Sequence, residues 1–167
     1  MRRLVHGISK SISSLFGNFE GSDKYIGGVL APNGKIYCVP RNSTQILVID
    51  PSNDTTSLIG NLTGIQKWLG AVLAPNGKIY CVPYSSTQIL VIDPSNDTTF
   101  LSGNFSGTVK WQGGVLASNG KIYGVPRNST KILVIDTKSI PTTLDLQIPV
   151  NLADIPTSNY NKYFNKY

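Results

Sequence analysis

The chain of 167 residues has one histidine, His6, one glutamate, Glu20, one methionine and two cysteines. So short a supply of proton-transfer groups leaves no general acid and base pair and no Cys–His nucleophile to assemble. No HExxH, Walker loop or GxSxG is written anywhere. No apolar run approaches the about 18–20 residues of a spanning helix, so no membrane span is expected. Acidic side chains are also few, nine against fifteen Lys and Arg, which sets a formal charge of +6. Such a balance favours an anionic partner, whether a glycan, a nucleic acid or an acidic protein surface, and equally keeps a basic surface soluble. The aspartates recur in short turns such as PSND, too short for an EF-hand loop, so no metal and no cofactor is expected.

What the chain has in quantity is turn chemistry, with sixteen Gly and ten Pro, and a repeat. APNGKIYCVP at Ala31–Pro40 returns letter for letter at Ala74–Pro83, and as ASNGKIYGVP at Ala117–Pro126. The spacing is 43 residues: Gly34, Gly77 and Gly120 coincide, as do Tyr37, Tyr80 and Tyr123, and Asp50, Asp93 and Asp136. A period of this size marks an array of supersecondary units. Each unit reads as four short strands: GVLA, the turn PNG, KIYCVP, the loop RNST, QILVID, the turn PSND, TTSLIGN, and a longer connection LTGIQKWLG. The runs are too short for helices, β-branched residues abound, and Asn-Gly is a strong hairpin signal. Four antiparallel strands per about 40–45 residues make a propeller blade. The closing Asp of ILVID suits a cap on the turn that follows.

The run from KIY to ILVIDPSNDTT resembles the blades of the YVTN and virginiamycin-lyase-like propellers, over about Ser14–Val150. The resemblance implies an all-β fold of four-stranded antiparallel blades. A lyase activity of that group would need His and Glu as acid and base; His6 lies outside the repeats and Glu20 stands alone. The expectation is therefore a non-enzymatic binding or scaffold module, with a degenerate lyase-like enzyme or a structural component of a larger assembly, such as a virion, as alternatives.

Boundaries fall at an N-terminal extension (1–13), a repeat domain (14–150, with repeats near 28–70, 71–113 and 114–150) and a tail rich in Asn, Lys and Tyr (151–167). The chain offers about three blades, with Ser14–Phe19 as a lone outer strand and TTLDLQIPV as a possible last one. Rings usually take 4–8 blades. Three make either an open wedge or half of a six-bladed ring closed by a homodimer. Leu4, Ile8, Ile12 and Leu15 fall on one helical stripe between Arg2, Arg3 and Lys10, which has the look of a mitochondrial leader. SLFGNFEG at Ser14–Gly21 instead aligns with SLIGNLTG of the repeat, which favours a cytoplasmic setting over organelle import or a virion. Cys38 and Cys81 occupy the same place in successive repeats, too far apart for a disulfide and expected as buried thiols.

Comparing the repeats locates a candidate ligand face. The PNG and PSND turns on one side barely vary, whereas the connections EGSDKYIG, TGIQKWLG and SGTVKWQG, with the loops RNST, YSST and RNST, change on the other. Binding in repeat arrays gathers where residues vary. That face carries Lys24 and Tyr25, Lys67 and Trp68, and Lys110 and Trp111, joined by Arg41, Tyr84 and Arg127. A lysine beside an aromatic, once per blade, could grip an anionic or sugar ligand by charge and ring stacking. The same aromatic could instead plug the gap between blades.

Overall fold

The structure is a computed structural model that describes residues 12–138. TTLDLQIPV, the tail and most of the N-terminal extension lie outside those residues. Strands β1 (Tyr25–Leu30), β2 (Ile36–Pro40), β3 (Ile46–Asp50) and β4 (Thr55–Ile59) form one sheet. A second contains β5 (Trp68–Leu73), β6 (Ile79–Pro83), β7 (Ile89–Asp93) and β8 (Thr98–Ser102), and a third contains β9 (Trp111–Leu116), β10 (Lys121–Pro126) and β11 (Leu133–Asp136). All three are antiparallel meanders in chain order. The fold is thus all-β, of propeller-type blades, and the array is open rather than closed.

Local chemistry sets the strand ends. Gly34 takes a φ of 80° after Asn33, and Asn33 Oδ1 accepts the Lys35 N–H at 3.1 Å, which turns β1 back onto β2. Asp50 Oδ1 accepts both the backbone N–H of Ser52 at 3.0 Å and its hydroxyl at 2.6 Å, so the aspartate does cap the next turn. Asp93 repeats that pair of bonds with Ser95.

Two expectations about strands change. Each inner strand starts at the aromatic residue, not at GVLA, because a bulge between Tyr25 and Gly28 adds a residue. The bulges centre on Gly27, Gly70 and Gly113, all at positive φ. A Cβ at Gly70 would lie 2.9 Å from the Cα of Gly113, so the inner strands meet backbone to backbone there. Ser14–Phe19 forms no strand: it pairs with none of the three sheets, and the β11 edge of the third sheet carries no fourth strand among the described residues.

The core lies between sheets. Alternation along a strand sends Tyr37 and Val39 of β2, with Ile46 and Val48 of β3, toward the second sheet. There they meet Ile79, Cys81, Leu90 and Ile92. Tyr80, Val82, Ile89 and Val91 leave the opposite face of the second sheet to meet Ile122, Leu133 and Ile135 of the third. Every residue of β6 is therefore buried. At the turn end, Asn33 Nδ2 donates to Pro94 O at 2.8 Å and the Tyr37 hydroxyl donates to Asp97, tying the first sheet to the second. Asn76 Nδ2 makes the matching bond to Thr137 O at 2.7 Å.

Asp23, Gln66 and Val109, at one repeat position, all have φ near 50°. For a β-branched side chain this is strained by about 1–2 kcal/mol, whereas Asn enters the region readily. Val109→Asn is expected to raise stability by about 1 kcal/mol in urea unfolding. A midpoint unchanged or lowered would contradict the strain.

Candidate functional site

The connection from an outer strand to the next inner strand ends in Gly-x-x-Lys-aromatic, and the structure gives this motif a job. Gly64 and Gly107 adopt positive φ. Their carbonyls accept hydrogen bonds from the ammonium three residues on, Gly64 O from Lys67 Nζ at 2.9 Å and Gly107 O from Lys110 Nζ at 2.8 Å. Each ammonium also crosses to the preceding sheet. Lys67 Nζ donates to Ser43 O at 2.7 Å and Arg41 O at 3.3 Å, and Lys110 Nζ to Ser86 O at 2.8 Å and Tyr84 O at 3.3 Å. The backbone N–H groups of Lys67 and Lys110 bind those same Arg41 and Tyr84 carbonyls, at 3.0 and 2.8 Å. One residue thus latches a blade to its predecessor through both main chain and side chain.

This places four of the predicted ligand residues inside the protein. Lys67 and Lys110 are 3% and 5% exposed, and Trp68 and Trp111 are also buried. The indole N–H of Trp68 donates to Gln88 O and that of Trp111 to Lys131 O, both at 2.8 Å. The two ammoniums stand 5.8 and 6.0 Å from the adjoining indole rings. Among the described residues no carboxylate pairs with either lysine, so carbonyl dipoles and the ring face carry the charge. Burial pushes both ammonium pKa values below the usual lysine range. With every donor direction and ring committed to the fold, these four residues have no surface for a ligand. The aromatic fills the gap between blades, and the lysine fastens it.

Lys24 and Tyr25 are half-buried at the start of the first sheet. Lys24 Nζ donates to the carbonyls of Phe19 and, at 3.0 Å, of Gly21. Tyr25 accepts from the Ser43 hydroxyl at 3.2 Å and meets Phe19 edge to face. Of the remaining candidates, Arg41 pairs with Asp23 at 3.4 Å. Tyr84 is buried beneath the guanidinium of Arg127, whose Cζ stands 5.5 Å from the ring. Arg127 itself is exposed and donates weakly, at 3.4 Å, to Gln112 Oε1. The structure therefore brings Tyr84, Arg127 and Gln112 together, and the signal for Gln112 was only its place beside Trp111.

Two strongly shifted titratable groups lie at the opposite, turn end. Lys78, with Ser95, holds Asp93 down to about 2, while burial and the Asp97 contact push Tyr37 up to about 12. Both hold turns and sheets together. Burial raises the thiol pKa of Cys38 and Cys81, and both thiols are free. Among the described residues no group of three or more His, Cys, Asp or Glu could hold a metal ion.

Replacing Lys110 by Met keeps the packed stem and leaves two carbonyls, Ser86 O and Gly107 O, without their donor, while Tyr84 O keeps the Lys110 backbone N–H. Unmet buried acceptors cost about 1–3 kcal/mol each, and relief from burying a charge offsets part of that. Lys110→Met is expected to lose about 2–4 kcal/mol in urea unfolding, against under about 0.5 for exposed Lys131→Met. Equal, small losses for both would refute the latch.

No protein-family profile and no curated protein matches this sequence significantly. Solved structures do match its fold. An extracellular domain from B. thetaiotaomicron superposes with a TM-score of 0.56 at 15% identity, over 67% of this chain and 15% of the other. Virginiamycin B lyase from Staphylococcus aureus gives 0.55 at 16% identity, over 75% and 44%. Kuenenia stuttgartiensis hydrazine synthase gives 0.52 at 15% identity, over 75% and 37%. The chain spans less than half of each of these proteins, and at such identities the likeness is one of fold: an array of β-propeller blades.

Proposed function

We propose that the chain is a non-enzymatic propeller-type binding module that recognises an anionic ligand at the loop end of its blades. The observation that carries this reading is the Arg127 cluster, an exposed guanidinium stacked over Tyr84 of the preceding blade with the amide of Gln112 alongside. Stacking limits the rotamers of Arg127 and aims its planar fork outward, the arrangement that suits a carboxylate, sulfate or phosphate group. Arg41 presents a second cation at the equivalent position of the first blade, tempered by Asp23. The formal charge of +6 supplies long-range attraction of the same sign. The lysine and tryptophan pairs drop out of this ligand surface and serve as its support.

Heparin, a sulfated glycan, is the probe of choice. The protein should bind it in a salt-dependent way. Arg127→Glu with Arg41→Glu should weaken binding by about three- to tenfold, as rim charges do, with little change in melting temperature. Retention that does not change with the double substitution would exclude this surface.

A further inference from the structure

The junction between blades is built twice within the chain and prepared a third time at its two ends. The trailing face of the second sheet buries Val82, Val91 and Ile89 at 0%, 2% and 7% exposure. Their equivalents in the third sheet, Val125, Val134 and Ile132, stand 48%, 49% and 63% exposed. At the other end, Ile36 and Cys38 of the first sheet are half-buried, whereas their counterparts Ile79 and Cys81 are fully enclosed by the sheet before them. Three apolar strand positions on one bare face thus match the residues that the other bare face is built to receive.

The polar bonds of the junction are prepared in the same way. Lys24 repeats Lys67 and Lys110, with its Gly21 carbonyl in place and the Phe19 carbonyl as a second acceptor, but among the described residues the two cross-blade carbonyls that the others reach have no counterpart before the first sheet. Those counterparts are the carbonyls of Arg127 and Ser129, at the far end of the array. Asn119 Nδ2 bonds Tyr123 but, unlike Asn33 and Asn76, shows no bond to a following sheet among the described residues. The acceptor at the equivalent place is the carbonyl of Pro51, and the partner of Tyr123 corresponding to Asp97 is Asp54.

The segment before the first sheet fits too. In the first blade Ile46 pairs with Ile59 and Leu47 with Leu58, and Leu62 N donates to Thr44 O at 2.7 Å. Moved one repeat back for the outer strand and two forward for the sheet, this register sets Phe16 opposite Ile132, Leu15 opposite Leu133, and Phe19 N against Thr130 O. Leu15 is fully exposed and Phe16 is 47% exposed. A groove of about 630 Å³, with residues 128–134 along one side, borders the β11 edge where this strand would lie.

We propose that a second copy of this chain docks head to tail on the third sheet. Its Lys24 latches onto the Arg127 and Ser129 carbonyls, and its Ser14–Phe19 segment supplies the missing fourth strand. Two such junctions close a six-bladed ring. This rests on the blade junction and not on the ligand reading, and heparin retention is not its readout.

The test is the mass of the full chain in solution by light scattering over a range of concentrations, with Val134→Glu and Lys24→Glu as variants. A mass of twice 18.1 kDa is expected, falling to 18.1 kDa in each variant with an unchanged far-UV circular dichroism spectrum. Both positions lie at the open ends, so a single chain keeps its two internal junctions. If either variant unfolds, Val125→Lys replaces it under the same expectation. A wild-type monomer, in which the chain covers its own β11 edge, would overturn the proposal. So would a dimer that survives the substitutions, or a mass that climbs without a plateau, which would mean an open filament.

Discussion

A four-stranded sheet that is apolar on both faces has no stable existence alone, and the rest of this structure follows from that constraint. In β6 the side chains alternate Ile79, Tyr80, Cys81 and Val82, and each direction ends in a neighbouring sheet. Burial of this kind is non-directional and would tolerate sliding. Direction comes from polar contacts at both ends of the junction: the lysine latch at the loop end, and asparagine with tyrosine at the turn end. The lysine is an expensive choice, since a buried ammonium loses its hydration. Carbonyls of Gly64, Ser43 and Arg41 offset that loss, and those of Gly64 and Ser43, which would otherwise need water, are themselves satisfied in the same contact.

The architecture was legible because repetition multiplies weak signals. A single Asn-Gly says little, but three at a fixed spacing with Tyr, Pro and Asp in phase specify blades. The capping role of Asp50 was likewise readable from its place before Pro-Ser-Asn. The lysines were misread, because a charged side chain beside an aromatic in a variable loop ordinarily faces water. The corrective signal was present in Gly21, Gly64 and Gly107, each three residues before its lysine. A glycine that points its carbonyl at that ammonium marks the lysine as structural, although the cross-blade carbonyls could not be inferred from sequence. The inner strands were clipped for a similar reason, since glycine bulges hide the strand residues that precede them.

For function, the division of labour between the two ends of the array matters more than any single residue. The turn end is constant, densely bonded and occupied by shifted groups such as Asp93 and Tyr37, all of them spent on holding sheets together. At the loop end the latch lies beneath, and side chains such as Arg127 and Gln112 stand on top, supported but not consumed. A blade array can therefore change what it displays at these positions without disturbing the junctions below. The solved structures that share this fold include a lyase and an extracellular domain, so the fold by itself fixes no activity.

The central claim is that Lys67 and Lys110 are interior fastenings rather than surface charges. Reductive methylation of the folded chain, mapped by mass spectrometry, reads it directly. Lys131 and Lys138 should be modified rapidly, while Lys67 and Lys110 stay unmodified until denaturant is added. Modification of Lys67 and Lys110 at the rate of Lys131 in the native protein would contradict the account.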